Sequence, residues 1–387
     1  MKRLFFICMV FTTAGIVGFL TGIHGSESKR YWHAYLTNFV FWTGLSAGAF
    51  LFVPVTNMTK ARWARPLKRL GEAFGTFLPV SFILFWVLYL GRREIFPWIE
   101  RPLPEKEPWL NAGFLFVRDG FGLLLLACLA IALIYHSVRA DSDTSGEAKD
   151  ARSWKAQVVL SPVFGIAYGL VLTVIAFDLM MSLDPHWYST LFGAYYFVGS
   201  FYTGLAAIVL LSFFASGPVK DFLNPRLFHD LGKILFAFCL LTGYFFYSQF
   251  LIIWYGNVPE ETRYVIERVR SGPWQPLSYV ILGAAFLLPL ALLLSRKIKM
   301  RAASLTVVSI LILAGMWLER YILVFPSFWR EESLPIGLPE VLITLGYLGL
   351  AGLGLSIFLS KAPPLPRSDP LFCEFLERQR SEGGSEK

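Results

Sequence analysis

The chain has 387 residues, of which 55% are hydrophobic and 16% charged, with a mean hydropathy of +0.55. Soluble domains average roughly 45–50% apolar and about 25% charged residues, so this composition excludes an ordinary water-soluble globule. A net charge of +8 would suit nucleic acid if it formed a patch, but the basic residues fall in loops between apolar stretches, where they report topology.

In chain order, ten stretches are predicted to be membrane-spanning helices: Leu4–Ile23, Tyr31–Thr56, Glu72–Leu90, Ala112–Val138, Ala156–Ser182, Leu191–Ser216, Asp230–Tyr255, Pro276–Ser295, Ala302–Phe325 and Ile336–Ser360. Each is near or above the ~20 residues that cross a bilayer core. The first is too long and apolar for the core of a cleaved signal, so it is read as an uncleaved span. The expected fold is an all-α polytopic membrane protein. Lys and Arg crowd the segments 2–3, 60–69, 139–155, 220–226, 296–301 and 361–387. The alternate loops carry fewer: Lys29, Arg30, Arg92, Arg93, Arg101, Lys106, Arg263, Arg268, Arg270 and Arg330. Positive-inside sorting then places both termini in the cytoplasm.

An internal repeat is expected. Phe41-Trp-Thr-Gly-Leu-Ser-Ala47 in the second span resembles Phe201-Tyr-Thr-Gly-Leu-Ala-Ala207 in the sixth, at an offset of 160 residues. Leu70-Gly-Glu72 matches Leu231-Gly-Lys233 at 161, and Asp178 and Glu319 each stand seven residues before a proline, Pro185 and Pro326. An even number of spans between equivalent positions gives both copies the same orientation. The implied architecture is two pseudo-symmetric four-helix bundles, spans 2–5 and 6–9, flanked by spans 1 and 10. The corresponding divisions are residues 1–30, 31–190, 191–330 and 331–387. Gly18/Gly22, Gly44/Gly48, Gly71/Gly75 and Gly165/Gly169 have the spacing of close helix contacts, although glycine is also simply frequent in such helices.

The ionisable residues inside spans are the candidates for function. Arg118, Asp119, Asp178, Glu319 and Arg320 share a depth in the outer third. They read either as a proton route or as Arg–carboxylate pairs pinning the fourth, fifth and ninth spans. A second group, Glu72, His136, His229, Asp230 and Lys233, faces the cytoplasm, where helix capping is the alternative for His229 and Asp230. Between the groups, Gln249 and the hydroxyls of Tyr168, Thr173 and Tyr247 would bridge protons through water. In the loop Ser182–Thr190, Asp184, His186 and Trp187 suit a quinone headgroup, or simple interfacial anchoring. Cys8, Cys128, Cys239 and Cys373 are scattered, no C-x-x-C-H occurs, His24, His33, His186 and His229 fall at span ends or in loops, and only His136 lies inside a span, near its cytoplasmic end. No haem, iron–sulfur or metal ligand set is therefore expected on this chain.

The run Phe177-Asp-Leu-Met-Met-Ser-Leu-Asp-Pro-His-Trp-Tyr-Ser-Thr-Leu-Phe-Gly193 resembles the second quinone-binding subunit of bacterial quinol:cytochrome c oxidoreductase, alternative complex III. His229-Asp-Leu-Gly-Lys233 and Ser248-Gln-Phe-Leu-Ile-Ile-Trp-Tyr-Gly-Asn-Val-Pro-Glu-Glu-Thr262 are similar to its next blocks. That group belongs with the NrfD/polysulfide-reductase membrane subunits. The resemblance implies paired four-helix bundles in a bacterial cytoplasmic (inner) membrane. It also implies a respiratory complex containing a paralogous NrfD-like membrane subunit, an iron–sulfur subunit, and multihaem and monohaem cytochromes c. Haem c and the clusters would sit on those partners, with the quinone pool, membrane lipid and a terminal oxidase as further neighbours and no nucleic acid. Quinol oxidation in such complexes is usually assigned to the paralogous subunit. For this chain the resemblance therefore implies a proton-translocation path with a quinone pocket beside it. The rival readings are a structural anchor without chemistry and a proton-coupled secondary transporter, which would show helix breaks near the midplane.

Overall fold

The computed structural model describes residues 2–142 and 147–384. Lys387 and the side chains of Lys2 and Lys149, three of the basic topology markers, lie outside the described residues. Among the described residues every regular element is helical, and ten helices are long and apolar enough to cross a membrane. They are α1 (Arg3–Gly22), α2 (Ser28–Met58), α3 (Arg62–Leu90), α4 (Ala112–Asp141), α5 (Ala151–Leu183), α6 (Phe192–Phe213), α7 (Pro225–Gly256), α9 (Trp274–Leu294), α10 (Ala302–Ser327) and α11 (Leu338–Lys361). Two further helices, α8 (Pro259–Val269) and α12 (Pro370–Gly384), lie in the connection after α7 and in the tail.

Helix α2 packs on α3 and α5, and α4 joins α3 to α5, closing a ring of four. Helices α6, α7, α9 and α10 close a second ring in the same way. The rings meet where α2 lies against α6, with α5–α6 and α2–α10 contacts on either side. Helix α1 runs along α11, which packs on α2 and α3.

The α2–α6 seam is a backbone contact. A Cβ added to Gly48 would fall 2.1 Å from the Ser200 carbonyl oxygen, and one on Gly204 would fall 2.1 Å from the Ala49 nitrogen. Small residues are what allow such approach without a hydrophobic driving force in lipid. As a result α2 is buried on all sides from Trp32 to Asn57, apart from Val55. Glycine spacing at Gly44/Gly48 thus marks a helix contact, whereas a Cβ at Gly165 or Gly169 would meet no neighbouring helix backbone.

Helix α3 begins ten residues before the predicted span start at Glu72, with a 3-10 turn at Arg62–Leu67. From sequence this basic stretch is expected to be a loop between spans. The structure buries Arg65, Lys68 and Arg69 to 1% exposure by pairing them. Lys68 donates to Asp369 at 2.7 Å and to Gln157 at 2.8 Å, and Arg65 donates to Asp369 at 3.0 Å and to Asn57 at 2.7 Å. Arg69 bridges Glu72 and Asp141 and donates to the Ser137 hydroxyl at 3.0 Å. Three cations thus meet three carboxylates, which is what makes burial of all six tolerable. Asp369 comes from the tail, so the chain end is stapled onto the start of α3.

Helix α9 widens into a π segment at Leu282–Leu287 and then continues as α-helix through Pro289. Proline has no N–H to give the carbonyl four residues earlier. That carbonyl, on Ala285, accepts from the Tyr202 hydroxyl at 3.2 Å instead. The insertion adds width to the wall that α9 turns toward α7 and α10.

Candidate functional site

At the end of the molecule opposite the Arg65–Asp369 cluster, the ionisable candidates fall into two assemblies. The first joins α4 to α5. Arg118 grips Asp178 with two hydrogen bonds, Nε to Oδ2 and Nη2 to Oδ1, both at 2.5 Å. The Trp109 indole donates to Asp178 Oδ1 at 2.9 Å, and its ring lies 3.9 Å beneath the guanidinium. Bidentate geometry and an aromatic platform are what suit arginine to this position. Asp119 sits behind, buried, next to Asp178, and neither of its oxygens receives a hydrogen bond. Two carboxyls thus share one guanidinium.

That surplus gives an expected result. In Asp178→Asn, Arg118 can turn to Asp119, so the complex should assemble with little loss. The double variant with Asp119→Asn strands a poorly hydrated cation, which costs about 3–5 kcal/mol, and should fail to assemble. Subunit content of membranes from the two strains measures this; equal content in both would contradict it.

The second assembly surrounds a cavity of about 300 Å³ between α6, α7, α8, α9 and α10. Glu319 lies on its wall, held by Arg320 at 2.7 Å, and the Tyr195 hydroxyl faces the same carboxylate. Arg320 in turn rests over the Tyr196 ring at 4.6 Å. The roof is an aromatic stack: Trp187 lies parallel to Tyr264 with centroids 3.7 Å apart and planes 4° apart, and Arg268 covers the other side of Tyr264 at 3.4 Å. Helix α8 brings Tyr264 and Arg268 to one face through their i, i+4 spacing. Burial pushes the Tyr264 phenol up to about 12, so it is a donor at any physiological pH.

Trp187, Tyr264 and Arg268 line this wall, and among the described residues the Trp187 Nε1–H, the Tyr264 hydroxyl and the Arg268 Nε–H are buried with no hydrogen-bond partner. Buried polar groups are normally satisfied, so a cluster of orphans around one cavity marks a place shaped for something with acceptor oxygens. Most of the remaining wall is apolar, including Phe246, Phe250, Ile253 and Phe286, with Thr242, Gln249 and Ser278 also on it. Its rim at Phe246, Tyr247 and Leu282 is exposed on the outer side of α7 and α9, where lipid would lie around a membrane span.

The other candidates are dispersed. Asp184 is half-buried beside Tyr264 and Arg268, while His186 is exposed on the same loop. Glu72 belongs to the Arg69 cluster, and His136 is half-buried against Tyr135. Asp230 and Lys233 form a 2.7 Å pair at the surface, far from full burial. The N-cap of α7 is Asn224, which accepts from the Leu227 amide at 2.9 Å, so capping does not explain His229 or Asp230. Tyr168 and Thr173 bond to backbone carbonyls and line a different cavity from Gln249 and Tyr247, so these four do not form one relay. Trp109, Tyr195, Tyr264 and Arg268 were not anticipated as site residues. An orphaned donor has no sequence signature, although the Tyr264/Arg268 spacing on a short helix was readable.

Among the described residues no three His, Cys, Asp or Glu side chains converge as a metal-holding group, and the four cysteines are free. The family model described as "Polysulphide reductase, NrfD" matches residues 23–330, the stretch from α2 through α10. The chain belongs to the NrfD family. It is therefore an integral membrane subunit of a respiratory oxidoreductase complex, and NrfD membership implies iron–sulfur and other oxidoreductase subunits as partners. No match was found among curated proteins.

Proposed function

We propose that this NrfD-family subunit binds the headgroup of a membrane quinol in the cavity beneath Trp187 and Tyr264, and passes its protons toward the surface that carries Asp178. The observation that carries the reading is that one cavity is lined by Glu319 and by three residues, Trp187, Tyr264 and Arg268, that each hold a buried donor with no partner among the described residues. A quinone supplies two carbonyl oxygens to such donors and a hydrocarbon tail to the opening between α7 and α9. Oxidation of the quinol releases two electrons and two protons. Glu319 is placed to accept a proton from the quinol hydroxyl, and Arg320 stabilises the carboxylate that accepts it. The electrons leave to a redox centre on a partner subunit. Of the residues proposed from sequence for the headgroup, Trp187 lines the cavity, Asp184 lies beside its roof and His186 stands outside it.

The wider assembly follows from the sequence resemblance: an alternative complex III type of quinol:cytochrome c oxidoreductase, with both termini cytoplasmic and a repeat relating the two rings. The carboxylates Asp119 and Asp178 then face the periplasm as the exit of the proton path. A purely structural anchoring role draws support from Arg118–Asp178, which ties α4 to α5, and from Arg30–Glu340, which ties α2 to α11 through two bonds of 2.8 and 2.9 Å.

Tyr264→Phe in the assembled complex tests the pocket, because it deletes one orphaned donor while keeping the stack. The expected result is a rise of about tenfold in KM for quinol, the size of one hydrogen bond to the headgroup, with unchanged subunit content. Unchanged KM and unchanged quinone content of the purified complex would overturn the pocket assignment.

A further inference from the structure

We propose that the seam between α2, α5, α6 and α7 binds an anionic glycerophospholipid, with an acyl chain filling the seam and Lys60 meeting the phosphate. The seam holds a cavity of about 840 Å³, walled by apolar side chains that include Phe52, Val55, Phe197, Phe201 and Phe238. Two of its wall positions are Gly165 and Gly169. A Cβ at Gly169 would meet nothing within 4 Å, and one at Gly165 would meet only Met58, at 3.7 Å. At Gly48 and Gly204 glycine brings two helix backbones together; here it leaves room. From Gly165 to Thr173 the space follows α5 for about 12 Å. Apolar walls at membrane depth do not hold water, and hydrocarbon is the medium around them.

The end of the seam identifies which lipid. Thr59, Ala61 and Trp63 border it, and Lys60 lies between the first two. Lys60 has φ of 50°, the left-handed conformation that favours glycine. It closes α2 by donating its amide to Asn57 O at 3.3 Å, while Ala61 donates to Thr56 O at 3.0 Å, the pattern in which helices usually carry glycine. A lysine therefore occupies the one backbone position here where its side chain is least suited. It is exposed and makes no ion pair among the described residues, whereas Arg62 is committed to Glu374 at 2.5 Å. Trp63 is the interfacial residue type expected at headgroup depth. Basic positions at the mouth of clefts between spans are the usual receptors for anionic headgroups.

The test uses the purified complex reconstituted in vesicles of phosphatidylglycerol and phosphatidylcholine in equal parts, then re-extracted, with bound lipid quantified by mass spectrometry. The intact complex should retain phosphatidylglycerol in excess. Lys60→Gln should reduce that excess about fivefold, the worth of one lysine near a headgroup, and Gly169→Leu should lower total retained lipid by filling the seam. Lys60 is exposed, so the first variant remains informative if the second fails to fold. Equal retention of the two lipids by the intact complex, an undiminished excess in Lys60→Gln, or a partner subunit cross-linked through a cysteine at Gly169 would overturn the proposal.

Discussion

Glu319→Gln is expected to lower quinol-dependent turnover per assembled complex by about 100-fold or more, with some loss of assembly because Arg320 then faces a neutral amide. The substitution keeps the size of the side chain and a hydrogen-bonding oxygen toward Arg320, but removes the group that accepts a proton, and general-base catalysis is typically worth 10²–10⁴. Glu319 lies on the cavity wall and Arg320 holds it at 2.7 Å. Quinone content should be unchanged, because Trp187, Tyr264 and Arg268 remain. Steady-state turnover and bound quinone measured on one preparation check this; turnover within a few-fold of the wild type would remove Glu319 from the chemistry. Both variants leave Arg320 buried without a carboxylate, but Glu319→Ala also removes the oxygen that accepts from Arg320, so it should reduce assembly further.

The second large effect is expected at Asp369, far from the cavity. Asp369→Asn leaves Arg65 and Lys68 buried against a neutral amide, a loss of about 3–5 kcal/mol. A drop in the thermal midpoint of the complex and faster proteolysis of the tail after Lys361 would report it. Arg62→Gln, which breaks the exposed pair with Glu374, should change neither. Burial alone would raise the Asp369 carboxyl, yet Lys68 and Arg65 outweigh it and hold the group below the usual carboxylate value. A folded value below the unfolded ~3.9 means that this stabilisation is complete above about pH 4. It is lost as pH falls through the folded value. Tail release should therefore appear only in strong acid in the wild type, and at neutral pH in Asp369→Asn. An unshifted midpoint in Asp369→Asn would show that the tail cluster contributes little.

The ten spans were legible because a bilayer imposes a length and a composition that a single sequence displays. The start of α3 was not, because Arg65, Lys68 and Arg69 look like loop residues until the tail supplies Asp369 and α4 supplies Asp141, both distant in sequence. The Arg118–Asp178 pair was visible as one of two readings of the intramembrane charges, and the structure shows the pair itself. Of the cavity's lining, Glu319, Trp187, Tyr247 and Gln249 were legible as candidates. Its other donors sit on α8, a helix of mostly polar residues between two spans, where Arg268 counted merely as a loop charge. His186, prominent beside Trp187 in sequence, is turned outward because the loop buries the indole against Tyr264 and leaves its neighbour in solvent.

Helix α2 is the least apolar of the ten spans, and it is also the one enclosed almost entirely by protein. Its His33, Thr37, Asn38, Thr43, Ser46 and Asn57 are acceptable only once neighbouring helices shield them from lipid. During synthesis α2 emerges second, long before α6, its partner across the glycine seam, has been made. The nascent chain must therefore hold a weakly apolar helix that α3 and then α5 cover in part, with its α6 face open through the translation of some 140 residues from Met58 to Phe201. The rate at which α6 arrives sets how long that face stays uncovered.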